Sequence, residues 1–300
     1  MDYFSDKEQG PKPRTAENIT PAAWGGIVAL VTGLISSGAF GNRYPDTSCP
    51  DGAGIIGTDE RTFSLAVKAE IPDIEWPLEI QRRKTGGLSW EFEPYVPPTL
   101  SALDLIQFCY QTVAKPVRRS FHDYFGHFHL AFDEKAGREE FIAKVNKIFE
   151  RNGIAFILNS NGSIDRIVSP VLQEVLSAHF RTGDSDLDKM LDESQKKYLN
   201  PDPDIRREAV ERLWDCWERL KSIENPNNKK DSIITLLGKA TSDPDVRIML
   251  EEEARKLTDI GNSFHIRHTE ISQIRISDRI VLDYLFHRLF SMIQLLILKR

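Results

Sequence analysis

Cysteine is scarce in this 300-residue chain. The three thiols, Cys49, Cys109 and Cys216, stand far apart and none belongs to a C-x-x-C pair. An odd, dispersed set excludes a disulfide scaffold and fits a reducing compartment. An excess of positive charge is missing too: 39 Lys and Arg face 45 Asp and Glu, for a formal net charge of -6. That argues against a general polyanion binder, while leaving room for a local basic groove. No secretory pattern marks the first ten residues, MDYFSDKEQG, which are polar and acidic, so a cytoplasmic location is expected. No repeat with a period of about 20–50 residues runs through the chain. What is present is ordinary globular composition, 40% hydrophobic and 28% charged, enough for a sizeable core. The length suits about one to three domains.

One apolar stretch, Pro21 to Phe40 (PAAWGGIVALVTGLISSGAF), approaches the roughly 20 residues that a bilayer span requires. It carries four glycines, Thr32, Ser36 and Ser37, and no basic cluster follows it. The expectation is a buried helix that packs through its small residues, with no membrane involved. Residues 1–19 read as a loose polar tail. From Gly41 to Pro98 prolines and glycines punctuate the chain, which predicts loops with short strands at Thr62–Ala69 and Leu88–Phe92.

Helical texture returns at Ser101, where Ser101 and Asp104 form a capping-box pattern. A helix is predicted over about Lys135–Asn152 from Phe141, Val145, Ile148 and Phe149, with Gly153 as its stop. Ile154–Leu158 and Ser163–Ile167 flank Asn161-Gly162, a strong hairpin signal. Residues 169–180 also look helical. The last third reads as four amphipathic helices near 204–224, 231–241, 244–259 and 278–299. Asp243 and Ser277 are the expected caps of the last two. The helical spacing predicts a core of Leu213, Trp217, Ile234, Leu237, Leu250, Leu257, Leu285, Phe286, Leu289 and Ile293. The fold class expected is α+β and predominantly helical. A mixed N-terminal region with a β-hairpin, residues 1–183, precedes an antiparallel four-helix bundle, residues 184–300.

Three motifs could carry chemistry. Gly52-Ala53-Gly54-Ile55-Ile56-Gly57 matches G-x-G-x-x-G, but Tyr44–Pro50 before it cannot be a central parallel strand, so a plain glycine loop is expected and no cofactor. His122, His127 and His129 sit with Asp123 and Asp133 in a stretch rich in aromatics. Their spacing, H-x4-H-x-H, is not a known zinc pattern. Phe128 stands between His127 and His129 and no fourth ligand is in sight. The histidines are therefore expected not to converge, and no metal is expected. Last, GNSFHIRHTE at 261–270 crowds Asn262, His265, Arg267, His268 and Glu270 into one loop. Histidine can take or give a proton near neutral pH and arginine can hold a phosphate. That pairing suits RNA cleavage through the 2′-hydroxyl. The alternative is structural, with Asn262 capping a turn and Arg267 paired with Glu252 or Glu253.

Three stretches carry a resemblance: DPDIRREAVERLWDCWERLKSIE at 202–224, LTDIGNSFHIRHTE with DYLFHRLFSMIQLL within 257–296, and HFHLAFDEKAGREEFIAKVNKIFERNGIAFIL at 127–158. Together they resemble bacterial abortive-infection proteins of the AbiJ type, in which a variable N-terminal module precedes a bundle similar to HEPN domains. The resemblance implies a metal-independent endoribonuclease toxin of phage defence, with RNA as substrate, acting as a homodimer. A phage component or a partner defence protein is the further partner expected. Its implied catalytic residues are Arg267, His268 and His265, oriented by Asn262 and Glu270. HEPN sites carry R-x(4–6)-H, whereas Ser272, Gln273 and Ile274 occupy those positions after Arg267 here. Either His265 or His268 serves from a different geometry, or the bundle is a non-catalytic dimerising or sensing module.

Overall fold

The computed structural model describes residues 4, 8, 10, 12–52, 54–84, 91–168, 176, 180–263, 276 and 278–300. It is an α+β protein with two compact units, Met1–Ile167 and Val168–Arg300.

The N-terminal unit opens with α1 (Pro21–Ser36), capped by Thr20 with Pro21 in its first turn. Ala23, Trp24, Ile27 and Val31 bury one face of it, and a Cβ at Gly26 would come to 3.4 Å from the Ile148 side chain. The small residues thus let a second helix approach, as the composition of this stretch predicts. The two-residue strands β1 (Pro45–Asp46) and β2 (Gly57–Thr58) pair antiparallel and bracket the glycine loop. Next comes α2 (Glu60–Glu70), where a strand over Thr62–Ala69 is expected from sequence. Asp59 caps it through the amides of Arg61 and Thr62, and Phe63 and Val67, one turn apart, are its buried residues. Phe63 stacks on Phe40 with centroids 4.5 Å apart, a contact that rewards the helical spacing.

Strands β3 (Gln81–Arg83) and β4 (Phe92–Pro94) form a second antiparallel pair. Residues 88–90 of the other expected strand lie outside the described residues. Helix α3 (Thr99–Thr112) starts two residues before Ser101 and has Pro98 at its cap position with no side-chain cap. The Ser101 hydroxyl instead donates to Asp73 at 3.1 Å, so the capping box does not form. Strands β5 (Lys115–His122) and β6 (His127–Asp133) make the longest hairpin. Helix α4 (Glu134–Arg151), capped by Asp133, buries Phe141, Val145 and Phe149. Strands β7 (Phe156–Leu158) and β8 (Ile164–Arg166) close the expected hairpin, whose turn uses Gly162 at φ +85. The N-terminal tail is not loose throughout. Ala16 bridges to Ile154, and Arg14 donates to the Ile154 and Phe156 carbonyls.

In the C-terminal unit the helices are α5 (Ser185–Tyr198), α6 (Pro203–Leu220), α7 (Lys229–Ala240), α8 (Pro244–Ser263) and α9 (Arg279–Lys299). Residues 169–175 and 177–179 of the other expected helix lie outside the described residues. Four helices match those expected from sequence. The fifth, α5, is the charged segment at the expected boundary; Leu187, Leu191 and Tyr198 belong to the same core as Leu213, Trp217, Phe286 and Ile293. Of the predicted core, Ile234 alone is exposed, because the buried stripe of α7 runs through Ser232, Leu236 and Leu237. Asp278 caps α9 through the amides of Ile280 and Val281; Ser277 lies outside the described residues. Among the described residues α9 is the one helix long and apolar enough to cross a membrane, and Phe286, Leu289, Phe290 and Ile293 on its inner face are core.

Candidate functional site

Alternation along a strand places residues i and i+2 on one face, and residues directly opposite across an antiparallel pair share that face. His127 and His129 are such a pair on β6, and His122 on β5 is the register partner of His127. Three imidazoles therefore gather on one face at the tip of the hairpin, with centroids 5.2 Å (His122 to His127), 5.5 Å (His127 to His129) and 5.7 Å (His122 to His129) apart. The intervening Phe128 points to the other face, where it packs with Phe121 and the Arg118 guanidinium. The expectation that Phe128 would keep the histidines apart reverses the geometry of a strand: its presence is what aligns them.

The loop after β1 supplies a fourth group. Cys49 is 4% exposed, and its Sγ lies 3.6 Å from His122 Nδ1, 3.4 Å from His129 Nε2 and 3.3 Å from His127 Nε2. All four donor atoms lie within 4.8 Å of one another. The expectation that no fourth ligand exists is thus corrected by a residue 73 positions before His122. The glycine motif explains how the loop reaches the hairpin. Gly52 turns with φ +64, and the Leu130 amide on β6 donates to the Ile55 carbonyl at 2.8 Å. A Cβ on Gly54 would come to 3.3 Å from the His129 ring, so the close approach favours glycine there.

Two polar groups fix the rings from outside. His122 Nε2 meets Asp51 Oδ2 at 2.9 Å, and His129 Nδ1 meets the Ser120 hydroxyl at 3.0 Å. The edge of Phe125 packs against His122, with centroids 4.8 Å apart. Cys49, Asp51 and Ser120 are the residues that sequence reading passed over. The strand alternation around His127 was the available signal for the histidines; nothing local marks Cys49.

A different arrangement occupies the C-terminal unit. A cleft of about 700 Å³ opens among α6, α7 and α8. Lys221 lies at its floor, 3% exposed, and donates to Glu218 and to Thr258 Oγ1. Lys229 also donates to Glu218. Burial works to raise the Glu218 carboxyl, but the hydrogen bonds from the two lysines outweigh it and hold the group below its ordinary range. Lys230 and Arg255 add two further cations, Glu251 and Asp259 two further carboxylates, and Asn262 also lines the cleft. Asn262 is helical, in the last turn of α8, rather than in a loop. The other four residues of the sequence-predicted site, His265, Arg267, His268 and Glu270, lie outside the described residues. Of the acidic partners considered for Arg267, Glu253 is bound by Arg288 through two hydrogen bonds of 2.7 and 2.9 Å.

Comparison with known proteins gives one family. No curated protein and no solved structure matches the chain. The model of AbiJ N-terminal domain 4 matches residues 2–181, a span that contains the whole Cys–His cluster. Since that match covers more than half of the chain, the protein belongs to the AbiJ N-terminal domain 4 family.

Proposed function

We propose that this protein is an anti-phage abortive-infection effector whose C-terminal helical unit cuts cellular RNA in the manner of HEPN endoribonucleases. Family membership ties the chain to abortive infection and phage defence. The observation that carries the finer reading is the combination, in one chain, of an AbiJ N-terminal domain with a helical unit whose last two helices flank the HIRH stretch. The cleft lined by Lys221, Lys229, Lys230 and Arg255, with Glu218, Glu251 and Asp259 among them, offers Lys230 and Arg255 as cations for a phosphate, and Asn262 on its lining stands five positions before Arg267 in sequence.

In this reading His268 or His265 takes the proton from a ribose 2′-hydroxyl. The 2′-oxygen then bonds to the adjacent phosphorus, and the 5′-oxygen leaves with a proton from the second imidazole. The products are a 2′,3′-cyclic phosphate and a free 5′-hydroxyl. Arg267 holds the phosphoryl oxygens as charge grows on them, and Asn262 and Glu270 orient the reacting groups. The enzyme works as a homodimer in the cytoplasm, and a phage component or a partner defence protein releases its activity.

The test is expression in a bacterial host, with growth, phage plaque formation and total RNA integrity as readouts. The wild-type chain should arrest growth or restrict phage, with cleaved RNA carrying cyclic phosphate ends and no added divalent ion needed. Arg267→Ala and His268→Ala should each lower cleavage by about 10²–10⁴-fold while melting like wild type. Full-rate cleavage by both variants would end the assignment of catalysis to this stretch. Phage restriction that survives both substitutions, with intact RNA throughout, would favour the dimerising or sensing module, a reading for which the absent R-x(4–6)-H spacing speaks.

A further inference from the structure

We infer that Cys49, His122, His127 and His129 bind a structural zinc ion that fastens the glycine loop to the β5–β6 hairpin. The sulfur–nitrogen distances have the right size. With Zn–S near 2.3 Å and Zn–N near 2.0–2.1 Å, tetrahedral geometry puts sulfur and nitrogen donors about 3.5 Å apart. The three Sγ to nitrogen distances observed are 3.3, 3.4 and 3.6 Å.

Hydrogen bonding alone could satisfy this gathering only weakly, because sulfur is a poor donor and a poor acceptor. A thiol has one proton, yet three ring nitrogens converge on this sulfur. With Nε2 of a neutral His122 donating to Asp51, its Nδ1 presents a lone pair to Cys49. A cation at the centre satisfies the thiolate and all three nitrogens at once. The outer contacts also have the form of a metal site. Bound histidines commonly engage a carboxylate, carbonyl or water through the second ring nitrogen. Asp51 is placed to do so for His122, and the Ser120 hydroxyl offers a comparable contact to His129.

One thiolate with three imidazoles suits zinc in tetrahedral coordination. Four protein donors complete the shell and leave no position for a reactive water, so the role is structural rather than hydrolytic. The ion would close a chain segment of 73 positions between Cys49 and His122. It would hold in place a loop whose own strands, β1 and β2, are two residues each. This inference concerns the N-terminal unit and is independent of the RNA-cleavage reading.

The experiment is metal analysis of the full chain, purified without an oligohistidine tag and without added metal. About one zinc per chain is expected, lost to a strong chelator with a fall in melting temperature and regained on adding zinc. Cobalt(II) added to the stripped protein should give the visible bands of tetrahedral cobalt and a near-ultraviolet thiolate-to-metal band. Cys49→Ser should abolish the thiolate band, and His127→Ala should weaken cobalt binding by at least about tenfold. Should these variants fail to fold, the stripped and reloaded wild-type protein carries the test by itself. Folded wild-type protein with less than about a tenth of an equivalent of any metal, and no tetrahedral cobalt spectrum, would overturn the site. A stoichiometric metal other than zinc would overturn the choice of ion.

Discussion

His122 and His127 face each other directly across the β5–β6 hairpin, and Asp51 and Cys49 from a distant loop flank the pair on opposite ring nitrogens of His122. The imidazole is therefore addressed from both sides: sulfur at Nδ1, carboxylate at Nε2. Such a carboxylate fixes the tautomer and raises the basicity of the nitrogen that faces the metal.

Asp51→Asn should consequently weaken zinc binding about 10–100-fold without unfolding the protein. Competition against a chromogenic chelator measures it. Unchanged zinc affinity in the variant would mean that Asp51 does not orient His122. The side chain is itself more than half exposed, so the zinc-free variant should melt like zinc-free wild type, and the zinc-loaded variant should lose only the stability that the weaker binding removes.

The thiols offer a second readout. Burial pushes the Cys216 thiol up to about 12 and raises Cys109 as well, and both residues are fully buried in their cores. Only thiolates attack disulfide reagents quickly. In the zinc-loaded native protein all three cysteines should react slowly with such a reagent. Chelation should release one fast thiol per chain, lost in Cys49→Ser, and denaturant should be needed for the other two. A fast thiol in the untreated native protein would contradict zinc ligation by Cys49.

What the sequence displays locally is what it discloses. Helix α4 was legible because the stripe of Phe141, Val145 and Phe149 and the stop at Gly153 lie close together in sequence, and the structure adds the cap at Asp133. The apolar stripes of α6, α8 and α9 and the turn at Gly162 were legible in the same local way, although the cap of α9 is Asp278 and not the expected Ser277. Thr62–Ala69 misleads because Phe63, Leu65 and Val67 alternate like a strand; the structure buries Phe63 and Val67 and leaves Leu65 exposed, a period near four set by the cap at Asp59. The Cys–His cluster fails for a different reason. Its histidines follow from strand geometry once β5 and β6 are paired, but Cys49 reaches them through tertiary folding that no local pattern encodes. The HIRH stretch has the residues of a site in its sequence, and of these Asn262 is the one that the structure describes.

Trp214 and Gly261 supply a prediction about the C-terminal core. A Cβ at Gly261 would fall on the Trp214 indole, whose Nε1 donates to the Leu257 carbonyl at 3.1 Å. Helical glycine ordinarily gains from replacement by alanine. Here the added methyl must displace a fully buried ring, so Gly261→Ala should destabilise the protein by about 1–3 kcal/mol. The midpoint of urea denaturation checks it, and a variant as stable as wild type would show that the indole can shift without cost.

The last prediction concerns acid. Glu253 on α8 and Arg288 on α9 pair through two hydrogen bonds, between the helices that border residues 264–278 in sequence. The bonds from Arg288 hold the Glu253 carboxyl below the ordinary carboxylate range of about 4.3, and the pairing raises the arginine in turn. A carboxyl whose folded pKa is depressed contributes stability that is fully present well above the ordinary value. That contribution disappears as pH falls through the lowered folded value. Both side chains are partly exposed, so solvent screening keeps it to at most about 1 kcal/mol. Glu253→Gln should therefore lower stability by up to that amount at neutral pH, and the gap from wild type should close as pH falls below about 4. Chemical denaturation of both proteins at several pH values measures the gap. A difference that stays constant across this range would assign the effect of the substitution to packing rather than to the ion pair.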